Sequence, residues 1–269
     1  MERPTHESFP SRAQFVNGPG IPVDGEYAVF PICTQNPDGR WGLLGTGFFI
    51  APDGIFATAK HVLMDKTNEA PIMPLYAFQF LGGDQYLVRP VLQINVDNVA
   101  DVATGALVPV VKTATGESLR NKVLVLTDRL PEVDEAVATF AYPTTEFKDI
   151  GEAQQIHIKS TWHFGRIEEC HPYGRDTVLL PRACFRTSIQ IPGGASGGPV
   201  TDQFGRVFAI NSTGYEGETI SYVSSITDIW PCRVVNVRLA DGSERPEITI
   251  VELIKMGLVV VNKERVEQK

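Results

Sequence analysis

The 269-residue chain reads as an all-β protein of two antiparallel β units, each a barrel or a sandwich, followed by a C-terminal strand/helix extension. Three observations predict this. Short apolar stretches recur between Gly, Pro, Asn and Asp punctuation, long helical periodicity is scarce, and a polar connector separates two strand-rich blocks. Hydrophobic residues make up 43% and charged residues 21%, which supplies a sizeable core under a soluble surface.

Residues 1–20 are polar, contain Pro and Gly, and are expected to form a loosely docked N-terminal arm. The first β unit is expected over 21–122, with strands at 27–33, 43–50, 55–58, 72–81, 86–96 and 106–111. Its turns, Asn36-Pro37-Asp38-Gly39 and Pro52-Asp53-Gly54, use residues that accept tight-turn backbone geometry. The polar run 112–122 leads into the second β unit, 123–232. There, strands are expected at 123–126, 136–142, 154–158, 163–168, 177–180, 184–191, 207–212 and 221–225. The pattern changes after Trp230, and 233–269 reads as the extension. It holds a strand at 234–239, a turn at Asp241-Gly242, helical spacing over 248–256 ending at Gly257, and a strand at 258–261. Packing against the second β unit is the expectation for it.

Composition also removes function classes. A net charge of −8 argues against nucleic-acid and anionic-membrane partners, both of which want a basic face. No apolar run reaches bilayer length. The opening MERPTHESFPSRAQF lacks the apolar segment of a signal peptide, so a cytoplasmic location is expected. Four cysteines (Cys33, Cys170, Cys184, Cys232) form no C-x-x-C pair, which argues against metal ligation and for buried free thiols. A Cys170–Cys184 bridge would need the two on neighbouring strands. With no H-E-x-x-H, no P-loop lysine and no complete G-x-G-x-x-G, neither a metal nor a nucleotide cofactor is expected.

One segment carries chemistry by itself. In Gly193-Gly194-Ala195-Ser196-Gly197-Gly198-Pro199, a serine flanked by glycines suits a nucleophile on a tight turn. There, successive backbone N–H groups can converge on a developing oxyanion. A glycine-rich hairpin with an incidental serine is the plain alternative. A serine hydroxyl needs a base, and the chain has five histidines. His61, in Thr58-Ala59-Lys60-His61-Val62, stands where an apolar strand ends, a rigid place to hold an imidazole. His6 lies in the polar arm, His157 and His163 fall mid-strand, and His171 precedes Pro172 in a loop.

Order along the chain separates the serine-hydrolase folds. Gly194-Ala195-Ser196-Gly197-Gly198 also fits a nucleophile elbow, but that fold places its histidine after the serine, and no histidine follows Ser196. The remaining order is His, Asp, Ser. Asp101, in Val99-Ala100-Asp101-Val102-Ala103, is the best carboxylate, since a charge among small apolar residues needs a partner. Asp97 is its rival and reads as a solvated turn residue. An Asp-His-Ser order through Asp53 would place the acid in a Pro-Asp-Gly turn and suits an α/β fold.

The stretch 45–54 running into Thr58-Ala59-Lys60-His61-Val62 resembles the histidine segment of chymotrypsin-like serine proteases, above all their bacterial trypsin-like and high-temperature-requirement branches. Asp101-Val102-Ala103 is similar to their aspartate segment, Glu135-Ala136-Val137-Ala138 to the strand opening their second barrel, and 187–199 to their serine segment. The resemblance covers roughly residues 25–228. It implies that the two β units are antiparallel Greek-key β-barrels, a chymotrypsin-like double barrel, and that the chain is a serine endopeptidase that acts on polypeptide substrates without a cofactor. His61 would be general base, Asp101 its orienter and Ser196 the nucleophile, with the amides of Gly194 and Ser196 as oxyanion hole. Gln190 would lie at the base of the primary pocket. Asn211, Ser212, Thr213 and Gly214 would form the strand edge that pairs with an extended substrate.

The chain also departs from that pattern. Ala195 replaces the aspartate that receives a new N-terminus in zymogen-type members, and no Ile-Val-Gly-Gly start is present, so activation by N-terminal cleavage is not expected. The disulfide beside the catalytic histidine is missing. Thr104-Gly105 is expected to interrupt the strand after Asp101. Glu216 and Glu218 lie beyond the substrate edge, where solvated loop carboxylates are expected. A peptide-binding module that is silent, or that awaits an activating protein partner, stays open beside the enzyme, as does an esterase or transferase using the same serine.

Overall fold

The computed structural model describes residues 14–262 apart from 66, 68, 84, 112–114, 179, 215–219 and 239–243. The chain starts with two short strands, β1 (Phe15–Val16) and β2 (Pro22–Val23), paired antiparallel, and one helical turn, α1 (Gly25–Ala28), capped by Asp24. The expectation of a loosely docked arm fails from Phe15 onward. That ring is fully buried, 4.9 Å from Trp162 and 6.2 Å from Phe140, because an aromatic side chain gains more from this slot than from water.

Six strands make the first barrel: β3 (Val29–Gln35), β4 (Trp41–Phe49), β5 (Ile55–Thr58), β6 (Leu75–Gly82), β7 (Gln85–Val96) and β8 (Ala103–Leu107). They run in the order β3-β4-β5-β8-β7-β6, and β3 pairs with β6 to close the ring, leaving no edge. A single turn, α2 (Lys60–Leu63), follows β5. Thr104 and Gly105 do not interrupt the strand after Asp101, contrary to expectation; both lie inside β8. Gly105 stands opposite Phe56, and a Cβ there would press into that ring and come within 2.9 Å of the Gln93 carbonyl oxygen, so the glycine serves packing.

Arg89 of β7 is 2% exposed inside this barrel, and burial pushes its pKa down to about 10. Its guanidinium donates to Gln79 Oε1 (2.7 Å), Asn121 Oδ1 (2.9 Å) and the Val108 carbonyl, so neutral oxygens satisfy a buried cation. Arg89→Ala empties this network and strands its acceptors. Denaturant unfolding should show a loss of about 2–4 kcal/mol.

The second barrel follows a short strand, β9 (Leu126–Thr127). Its members are β10 (Ala136–Ala141), β13 (Thr161–His171), β14 (Cys184–Thr187), β15 (Pro199–Thr201), β16 (Val207–Gly214) and β17 (Ser221–Ser225). The ring runs β10-β13-β14-β17-β16-β15 and returns to β10. Between β10 and β13 a hairpin, β11 (Glu146–Ile150) with β12 (Ala153–His157), reaches the first barrel. There Gln154 Oε1 accepts from the Trp41 amide at 2.7 Å, and Arg40 pairs with Asp149 at 3.4 Å. No strand forms at the described residues of the expected 177–180 stretch. Asp176 Oδ1 takes the amides of Val178 and Leu180 and bends the backbone into turns.

The extension holds β18 (Arg233–Arg238), β19 (Glu244–Thr249), α3 (Ile250–Lys255) and β20 (Val261–Asn262). A capping box between Thr249 and Glu252 starts α3 two residues later than expected, and Gly257 at φ +72° follows its end. The expected turn at Asp241-Gly242 lies outside the described residues. Packing on the second barrel is only half of what the extension does. β20 lies parallel to β9, which pairs with β16, whereas β18 rests on the first barrel. There the Gln93 amide meets both the N–H (2.7 Å) and the carbonyl (2.6 Å) of Val235, and Asn95 Oδ1 accepts from the Arg233 amide. The segment therefore straps the two barrels together.

Candidate active site

His61 sits on α2, directly after the fully buried strand β5, and the buried side chains of Val62 and Leu63 hold that turn in place. Asp101 comes from the loop joining β7 to β8. Asp97 builds this loop: its Oδ1 takes the amides of Val99 (2.8 Å) and Ala100 (2.6 Å), and its own amide bonds the Val102 carbonyl. Asp101 then faces three donors. Oδ1 accepts from the His61 amide (3.0 Å), and Oδ2 accepts from His61 Nδ1 (2.8 Å) and Ser212 Oγ (2.5 Å). With Nδ1–H donating to a carboxylate, the neutral imidazole carries its free lone pair on Nε2.

Ser196 is half-buried on a turn whose backbone takes positive φ at Gly194 (+87°) and Gly197 (+84°). A side chain at Gly197 would strike Thr58 and the Thr46 carbonyl, so this turn lies against the strand ends that carry His61. Thr46, fully buried in β4, is the clamp between them. Its amide bonds the Ser196 carbonyl (2.8 Å), its hydroxyl donates to the Gly194 carbonyl (2.8 Å) and accepts from the Tyr142 amide, and its carbonyl accepts from Thr58 Oγ1. Among the described residues, the amides of Gly194 and Ser196 have no protein acceptor, and no hydrogen bond joins the Ser196 hydroxyl to His61. Such bonds often tighten only around substrate.

The remaining expected residues separate. Gln190 is exposed on the segment between β14 and the serine turn. Asn211 is fully buried, and its side chain braces the turn, with Nδ2 on Ala195 O (3.1 Å) and Thr139 Oγ1 (2.7 Å). Ser212 is buried and turned to Asp101. Thr213 and Gly214 continue β16, which pairs with β17 on one side and has β15 on the other only as far as Ile210. Glu216 and Glu218 lie outside the described residues. Sequence reasoning missed Thr46 and the role of Ser212, because no local pattern marks either. Thr46→Val removes the hydroxyl that fixes Gly194 and strands a buried amide. The expected result is a kcat about tenfold lower and a stability loss of about 1–3 kcal/mol, read by steady-state kinetics and thermal unfolding.

The trypsin-like peptidase domain family matches residues 45–210, which include the histidine, aspartate and serine segments. The chain belongs to that family.

Solved structures similar to this trypsin-like peptidase chain include the Rv3671c protease from M. tuberculosis. Its active form is 22% identical with TM-score 0.52, covering 80% of this chain and 82% of that one. Its inactive form is 20% identical with TM-score 0.51, covering 80% and 90%. At these identities the likeness is one of fold. No curated protein matches the chain. All four cysteines of the peptidase chain are free. Cys170 and Cys184 do lie on neighbouring strands, but Cys170 pairs with Phe185 and Cys184 with His171, one register step apart and on opposite faces. Burial pushes the Cys33 and Cys232 thiols up to about 12, which keeps them protonated and inert.

Proposed function

We propose that this chain is a serine endopeptidase working through His61, Asp101 and Ser196. The observation that carries the reading is the two-point grip of Asp101 on the His61 ring and amide, which leaves Nε2 as the basic nitrogen. His61 takes the Ser196 proton as Oγ attacks the scissile carbonyl. The amides of Gly194 and Ser196 receive the negative charge on the carbonyl oxygen. The protonated imidazole then gives its proton to the leaving amine, and water attacks the acyl-enzyme by the same relay. A polypeptide substrate lies extended along 212–214, as a strand added to β16. No metal or organic cofactor enters the reaction.

Labelling of the full chain with a fluorophosphonate, followed by peptide mass spectrometry, tests this. An adduct on Ser196 that disappears in His61→Ala supports it. No adduct on folded protein would overturn it and assign the site to peptide binding without turnover, or to an enzyme that an activating protein switches on.

A further inference from the structure

We propose that His163 and Asn211 select a carboxamide side chain, glutamine first, on the substrate residue whose carbonyl Ser196 attacks. This rests on the serine endopeptidase reading. β10 and β13 pair Val137 with Gly165 and Thr139 with His163, so these four share one face of the sheet. Val137 lies in the core of the second barrel together with Ile167, the next residue of that face, which places Thr139 and His163 on the barrel interior. Asn211 meets them from β16, with Nδ2 on Thr139 Oγ1 and on the carbonyl of Ala195, the residue before the nucleophile. Thr139, whose hydroxyl donates to the Pro199 carbonyl, is thus the common neighbour of His163 and Asn211, beneath the serine turn.

Two atoms in this group have no hydrogen-bond partner among the described residues, although both are sealed from solvent: His163 Nε2 and Asn211 Oδ1. Each such atom costs about 1–3 kcal/mol, and native structures retain them where something else completes the bond. A peptide whose carbonyl meets the amides of Gly194 and Ser196, and whose backbone follows 212–214, sends that residue's side chain toward this end of the barrel. Burial pushes the His163 pKa down and keeps the ring neutral. With its proton assigned to Nε2 in this proposal, the group that fits must donate to Asn211 Oδ1 and accept from His163 Nε2–H. A carboxamide does both. A guanidinium or ammonium only donates, a carboxylate only accepts and would face Asn211 Oδ1, and an aliphatic chain does neither. As a residue His163 is half-buried, and in this proposal its imidazole turns about the broad χ2 torsion to present Nε2 to the substrate.

The test uses the full chain and peptidyl-coumarin substrates that differ only at the residue before the scissile bond, with Gln, Asn, Met, Glu, Lys or Leu there. Gln should exceed Met, its near-isostere without hydrogen bonds, by about tenfold or more in kcat/KM. His163→Leu should bring that ratio to about one while fluorophosphonate labelling of Ser196 persists. If His163→Leu does not fold, the wild-type profile decides alone. A labelled, active enzyme that prefers Met, Leu, Lys or Glu overturns this inference and leaves the endopeptidase reading standing. An unlabelled, inactive chain overturns both.

Discussion

Ser196→Ala is expected to lower kcat about 10^6-fold while leaving the unfolding free energy within about 0.5 kcal/mol of wild type. The chemical loss follows because, in the proposed mechanism, Ser196 Oγ is the atom that forms the acyl bond. Stability is spared because the Ser196 hydroxyl makes no hydrogen bond among the described residues. Thr46 and Asn211 hold the turn through the carbonyls of Ser196, Gly194 and Ala195, which alanine keeps. His61→Ala should cost about as much, and the double variant no more, since members of one relay are not additive. Steady-state hydrolysis with thermal unfolding checks both halves. A Ser196→Ala protein that kept a tenth of its activity would move the nucleophile elsewhere.

Asp101→Asn should lower kcat by about 10^4-fold. Three donors converge on the two oxygens of Asp101, and an asparagine has one oxygen to offer them. If its NH2 replaces Oδ1, it faces the His61 amide head-on. If it replaces Oδ2, it faces both Ser212 and Nδ1, and the imidazole proton moves to Nε2, the nitrogen that receives the Ser196 proton in the proposed mechanism. Ser212→Ala, which removes one of two donors to Oδ2, should cost about tenfold. A rate for Asp101→Asn within a few-fold of wild type would show that His61 is oriented by some other group. Asp97 is the rival to test next, although its carboxylate is committed to the amides of its own loop.

Much of this site was legible before the fold, and for a local reason. A strand that ends in Thr58-Ala59-Lys60-His61 and a serine set among glycines are short-range patterns, and β5 and β17 span the residues expected for them, 55–58 and 221–225. Legibility failed where the signal was diluted. β11, Glu-Phe-Lys-Asp-Ile, is mostly exposed and has little apolar alternation to betray it, and β15 has only three residues. Thr104-Gly105 looked like a break because glycine usually weakens a strand. Here the missing side chain is what lets the Phe56 ring pack against Gly105.

The residue pattern alone determined the two strand-rich blocks, the His-Asp-Ser order and the glycine turn that presents the serine. Periodicity and turn chemistry are written within a few residues of each other, and the order of residues along the chain needs no contact to be read. Only the tertiary structure decided what braces that chemistry. Ser212 reaches Asp101 across 111 residues, and Thr46 reaches Gly194 across 148. His163, which read as an ordinary mid-strand histidine, turns inward through its register against Thr139. Such contacts arise from barrel closure and the docking of one barrel on the other, where a one-residue shift in register sends a side chain to the opposite face.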